Sequence, residues 1–111
     1  MNEHCQIRFY RRDGTPYTGR DPLQEWAKDF ERAENKRIAL TRLPNGYDVS
    51  TVWLGLNHAW GDGPPLIYES MVFKRVEKHP WRGLDRQRYS TLHDADQGHQ
   101  ALVEKWQKRK R

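Results

Sequence analysis

At 111 residues, with 35% apolar and 32% charged side chains, the chain has material for one domain around one small core and not for two. Its formal charge of +5 points to an acidic or nucleic-acid partner, yet four basic residues stand together at 108–111 and the remainder is close to neutral. A single cysteine, Cys5, excludes an internal disulfide framework and a multi-thiolate zinc site, no apolar run approaches the roughly 18 residues of a membrane span, and residues 1–12 hold no apolar stretch of signal-peptide type, so a soluble protein of the reducing cytoplasm is expected.

Residues 6–10 read as a short strand with Ile7 and Phe9 on one face, and Arg12-Asp13-Gly14-Thr15-Pro16 supplies turn chemistry. Asp21-Pro22 then opens a helix, Asp as N-cap and Pro at the first helical position, with Gln24 placed as in a capping box. Leu23, Trp26, Ala27, Phe30 and Ala33 share one side of it, so the helix is expected to run to about Glu34 and to pack on a sheet. Residues 36–43 and 47–56 flank Leu43-Pro44-Asn45-Gly46, and the Asn-Gly pair predicts an antiparallel hairpin. Ile38 and Leu40 share a face of the first strand. In the second, Val52, Leu54 and Leu56 share one face, and Val49 and Trp53 point the other way.

The chain is organised around residues 50–73, where two strand-like runs, 51–56 and 66–73, bracket Asn57-His58-Ala59-Trp60-Gly61-Asp62-Gly63-Pro64-Pro65. Two glycines that permit positive φ and two prolines that remove donors make this stretch a stiff loop. In the returning strand Ile67, Met71 and Phe73 fall on one side, Leu66, Tyr68 and Val72 on the other. Residues 74–88 form a mixed-charge excursion pinned by Trp81. A brief pairing at 88–91 precedes a helix capped by Thr91 or Ser90, with Leu92, Ala95, His99, Leu102, Val103 and Trp106 as its inner stripe. Gly98 costs this helix about 1 kcal/mol against alanine, which implies a close neighbour. The expected fold is α+β, β-α-β-β-β-α, a mainly antiparallel sheet of about four strands with both helices on one face. Residues 1–111 form a single domain with a short N-terminal extension and a basic C-terminal tail at 108–111.

His58, Asp62 and Glu69 could bind a divalent ion or perform acid–base chemistry, but their spacing matches no metal motif. The preferred reading is structural: His58 and Asp62 bond the loop backbone and Glu69 is a half-buried acid with an arginine partner. No catalytic residue, metal or cofactor is therefore expected. Binding is expected of the loop and its aromatics, His58, Trp60, Asp62, Tyr68 and Trp81. Trp60 or Tyr68 could also stack on the base of a small nucleotide, although the loop lacks the lysine and Ser/Thr of a phosphate loop. His99, on an apolar stripe, reads as a satisfied core residue. Lys105, Lys108, Arg109, Lys110 and Arg111 could grip phosphates, and the same charges suit the negative end of a helix dipole.

The string Thr51-Val52-Trp53-Leu54-Gly55-Leu56-Asn57-His58, then Gly61-Asp62-Gly63-Pro64-Pro65-Leu66-Ile67-Tyr68-Glu69-Ser70-Met71-Val72-Phe73, then Arg88-Tyr89-Ser90-Thr91 before a helix, resembles a family of small uncharacterised phage and prophage proteins over most of residues 13–106. The chain departs from that pattern at its N-terminal extension, near Pro80 and at its basic tail. By analogy with small phage proteins as a class, the resemblance implies a non-enzymatic accessory protein that binds a host or defence protein, as an anti-CRISPR inhibitor does. Two further readings are a small-ligand or nucleotide-binding protein that sequesters a signal with the 57–65 loop, and nucleic-acid binding through the basic tail.

Overall fold

A computed structural model describes residues 9–57, 63–76 and 83–109. Helix α1 (Pro22–Glu31) and a single-turn helix α2 (Ala33–Lys36) precede four strands, β1 (Arg37–Arg42), β2 (Tyr47–Trp53), β3 (Tyr68–Lys74) and β4 (Asp85–Tyr89). Helix α3 (Leu92–Gln107) closes the described chain. The strands form one antiparallel sheet in the order β1-β2-β3-β4. The α+β class and the four-stranded sheet are as expected, but the fourth strand is β4. Of the strand expected at 6–10, the described residues Phe9 and Tyr10 make only isolated bridges, to Leu56 and Pro16; residues 6–8 lie outside the described residues.

Local chemistry sets the element ends. Asp21 Oδ1 accepts the Gln24 N–H at 3.2 Å, and Thr91 Oγ1 accepts the Asp94 N–H at 3.0 Å, so both long helices start on side-chain caps. The first helix stops at Glu31, short of the expected Glu34. Arg32 is extended (φ −79°, ψ 116°), and the Asp29 carbonyl, needed to continue the helix, accepts instead from Arg32 N–H and Asn35 Nδ2. Leu23 is 55% exposed: the inner stripe touches the body through Trp26 and Phe30, stacked at 4.8 Å, and the first turn is left in solvent. The Leu43–Tyr47 turn carries Gly46 at φ +95°, the conformation that makes Asn-Gly a hairpin signal.

One face of the sheet holds the core. Tyr47, Val49, Thr51 and Trp53 from β2 and Tyr68, Ser70 and Val72 from β3 are buried beneath α3 and the Trp26–Phe30 side of α1. The apolar residues divide into two clusters. One joins Leu43, Tyr47, Val49 and Val72 to Leu102 and Trp106; the other joins Tyr17, Trp53, Ile67 and Tyr68 to Ala95. Between them runs a polar row. His99 meets Thr51 Oγ1 with Nδ1 at 2.7 Å and Thr41 Oγ1 with Nε2 at 2.9 Å, and Thr51 bonds Ser70 in turn. His99 is thus the satisfied core residue expected, and burial holds its imidazole below its ordinary value, opposed by Asp96.

Two irregularities re-aim side chains that simple alternation assigns elsewhere. A register shift between Arg37 and Ala39 places Ile38 against the second cluster, while Leu40, opposite Ser50, lies on the other face. At the far end of β2 both the Leu54 and Gly55 N–H groups donate to the Ile67 carbonyl, with Gly55 at φ +79°, and Ile67 is fully buried beside Tyr68 instead of sharing the face of Met71 and Phe73.

Gly98 has the close neighbour that its position implied, because a Cβ there would collide with the Tyr89 ring. Gly98→Ala is therefore expected to destabilise despite a helix-propensity gain of about 1 kcal/mol. Combined with Tyr89→Leu, the same change should recover most of the loss in a urea titration; additive losses would show that the two sites do not touch.

Candidate functional site

Among the described residues no helix is packed on the face of the sheet turned away from α3. The register places its side chains in rows across the sheet: Val52 and Glu69 with Arg88; Leu40, Ser50 and Met71 with Arg86; Arg42 and Asp48 with Phe73. Leu40, Val52, Met71 and Phe73 are each half-buried, an apolar centre left partly in water. Met71 reaches sideways to Gly83, where the β3–β4 connection rejoins the described chain.

The charges around this centre fall into two kinds. Glu69 is buried and accepts from Arg88 Nε at 2.9 Å, with Arg86 at 3.7 Å, the arginine-paired acid that the sequence reading anticipated. Asp48, also buried, accepts from Arg75 Nε at 2.9 Å, and the same guanidinium bonds the Leu43 carbonyl at 2.7 Å. These arginines are paired with acids. Arg37 and Arg42, at the two ends of β1, make no ion pair among the described residues.

Other sequence-derived candidates fare differently. His58, Trp60, Asp62 and Trp81 lie outside the described residues, as do Lys110 and Arg111. The base of the 57–65 loop is ordered: β2 and β3 pair along their whole length beneath it, and Asn57 Oδ1 accepts the Leu66 N–H at 3.0 Å. Tyr68 is fully buried and donates its hydroxyl to the Arg12 carbonyl at 2.7 Å, with burial raising its phenol. It is a core residue and offers no face to a base, which corrects its place in the binding set. Lys105 and the Trp106 indole converge on Asp85 Oδ2 at 2.8 and 3.0 Å, and these bonds hold Asp85 below the usual carboxylate range. Lys105 thus ties α3 to β4. Lys108 and Arg109 remain at the helix end, Arg109 lying 4.4 Å over the Trp106 ring.

A cleft of about 330 Å³ between Arg11, Arg12, Asp13, Asp29 and Trp53 is polar, but its groups are engaged in structure. Arg12 bonds the Asn35 and Arg37 carbonyls, and Tyr17 donates to Asp29 Oδ2 at 2.6 Å. Among the described residues no group of three or more His, Cys, Asp or Glu side chains is placed to hold a metal ion, and no helix is long and apolar enough to cross a membrane.

The outer sheet face was missed in the sequence because Arg86 and Arg88 sit in a stretch without apolar alternation, and only pairing with β3 brings them to Glu69. The chain matches no protein-family model, no curated protein and no solved structure.

Proposed function

We propose that the protein is a phage- or prophage-encoded accessory protein of the host cytoplasm that acts by binding another protein, without catalysis, and that its target belongs to the host defence machinery. The observation that carries the binding reading is the sheet face that no helix covers among the described residues, where Leu40, Val52, Met71 and Phe73 make an apolar centre bordered by Arg86 and Arg88. Interfaces favour that composition: a desolvated apolar or aromatic core, arginine over lysine, and charge at the rim. The phage origin and the defence target rest on the resemblance of residues 51–73. Arg37 and Arg42 make no ion pair among the described residues, so the partner should present carboxylates to them.

The test is affinity capture from host lysate followed by binding measurements on the captured protein. Leu40→Glu and Met71→Glu place negative charge in the apolar centre while touching only half-exposed side chains. Each is expected to weaken binding at least about thirtyfold, the scale of a hot-spot contact of roughly 2 kcal/mol. Retention of the partner by the double variant, with unchanged far-ultraviolet circular dichroism, would remove the sheet face from the interface. Loss through Trp60→Ala or Trp81→Ala instead would move recognition to the loops.

A further inference from the structure

β1 is an edge strand, and the ladder fixes which of its backbone groups are open. The Leu54 N–H donates to the Ile67 carbonyl at 2.8 Å, so Leu54 is bonded on the β3 side, and the alternation of an antiparallel ladder turns Asp48, Ser50 and Val52 to β3 and Tyr47, Val49 and Thr51 to β1. The Leu43 N–H, which donates to the Tyr47 carbonyl at 2.8 Å, gives the same assignment from the other end. Across the β1–β2 register, Ala39 and Thr41 therefore spend their N–H and C=O groups on β2, and those of Leu40 and Arg42 point away from the sheet. Among the described residues no hydrogen bond reaches these four groups. The Arg37 carbonyl, before the register shift, is taken by the Arg12 guanidinium at 3.0 Å, so the open stretch starts beyond it.

Two grooves leave room for an added strand at this edge. One of about 660 Å³ is lined by Glu34, Arg37, Ile38, Ala39 and Leu40, and one of about 430 Å³ by Arg12, Ile38, Leu92, His93 and Asp96. β4, the opposite edge, carries Asp85, Arg86 and Arg88 in five residues, the composition by which edge strands deter pairing. β1 keeps its charges at its ends, with Ile38, Ala39, Leu40 and Thr41 between them. Its two arginines differ in their surroundings. Arg37 shares the first groove with Glu34, as Arg12 and His93 share the second with Asp96. Arg42 lies across from Asp48 on the outer face, but that carboxylate is already bonded to Arg75. Arg42 therefore stands beside open backbone groups with no ion pair among the described residues.

We infer that the open edge of β1 takes an extended segment of the partner protein as an added β-strand, hydrogen-bonded to Leu40 and Arg42, with an apolar side chain against Leu40 and a carboxylate beside Arg42. The inference deepens the protein-binding reading and rests on it for the kind of partner. In strand addition the backbone groups supply the attraction and alternate side chains supply the selectivity. Leu40 belongs to both surfaces: its side chain is part of the apolar centre of the sheet face, and its N–H and C=O open onto the edge, so a strand added there continues that face. A second copy of this chain is a poorer occupant, because its β1 would bring an arginine at each end and no carboxylate.

The probe is the capped peptide acetyl-Thr-Glu-Thr-Val-Thr-Glu-Thr-amide, titrated into the full chain while the backbone amides are followed by nuclear magnetic resonance. Its valine meets Leu40, and either strand direction sets a glutamate beside Arg42. Saturable shifts and slowed hydrogen exchange are expected at the Leu40 and Arg42 amides, with Ala39 and Thr41, already in the ladder, little changed. A peptide N-methylated at valine, which cannot donate to the Leu40 carbonyl, and one with lysine in place of glutamate should each bind about tenfold more weakly. Arg42→Gln should erase the preference for glutamate over lysine and keep the N-methyl effect. The inference is overturned if millimolar peptide leaves the Leu40 and Arg42 amides unprotected, or if the N-methylated and lysine peptides bind as well as the first. It is equally overturned if the chain self-associates through these same amides, since a second copy is then the occupant. Protection by the peptide supports it even where Met71→Glu keeps the captured partner, and absence of protection overturns it even where Met71→Glu releases that partner, so the two readings fail separately.

Discussion

Trp53→Ala is expected to cost about 4 kcal/mol, a large share of the 5–15 kcal/mol that hold a typical domain folded. The side chain is 1% exposed, lies 5.7 Å from the Phe30 ring, and donates its indole N–H to the Tyr10 carbonyl at 3.0 Å. It therefore connects three pieces that share no strand pairing: the sheet, α1 and the 9–17 segment. Truncation to alanine removes the apolar contact, opens a cavity and leaves a carbonyl without its donor. Trp53→Phe keeps most of the contact and loses the hydrogen bond, for an expected cost of about 1–2 kcal/mol. Urea unfolding followed by circular dichroism separates the two, with the midpoint falling far more for alanine than for phenylalanine. Equal, small shifts would show that Trp53 does not join these segments.

The second large effect concerns His99 and acid. Burial depresses the imidazole in the folded chain, whereas in the unfolded chain it titrates near its ordinary 6.5. As pH falls through that value the unfolded state takes up a proton that the folded state refuses. Stability is therefore full above about pH 7.5 and declines as pH drops below 6.5, by up to about 1.4 kcal/mol per unit, until the buried ring itself titrates. Asp13 and Asp85 are depressed from 3.8, by the Thr15 hydroxyl and the Lys105 ammonium first among their causes, so their stabilisation is lost only in more acidic solution. His99→Gln, which keeps a donor and an acceptor between Thr41 and Thr51 without a titrating group, should flatten the decline between pH 6.5 and 5. A slope that survived His99→Gln would assign it to another group. His99→Ala is a harsher change: it leaves the buried Thr51 and half-buried Thr41 hydroxyls short of a partner, and a loss of about 3 kcal/mol above pH 7.5 should narrow in acid, where the parent chain itself weakens.

This polar row has a structural consequence. Thr51, Ser70 and His99 occupy successive core-facing positions between the Val49–Val72–Leu102 side and the Trp53–Tyr68–Ala95 side, so α3 fits the sheet in one alignment. Sliding the helix by a turn would bury hydroxyls against leucine or tryptophan without partners, an unfavourable exchange in a dry interior. For a chain with few apolar residues, such a row supplies specificity that apolar area alone would not.

The features legible in the sequence were those governed by neighbours along the chain. The Asp21 and Thr91 caps, the Asn45-Gly46 turn and the stripe on α3 each depend on residues within one or two turns, and local chemistry leaves few alternatives. Tertiary structure decided what depends on distant partners. Two bulge-like irregularities, near Ile38 and at Gly55, swing Ile38 and Ile67 into the core against the two-residue alternation. The edge strand β4 exists because β3 offers its open edge to a segment whose charged residues conceal any strand pattern. Glu69 finds Arg88, and Asn45 finds the end of α3, across 19 and 61 residues respectively. The composition of the outer sheet face follows from those pairings, since no local rule specifies which strands become neighbours, and long-range register is set by the sum of all contacts at once.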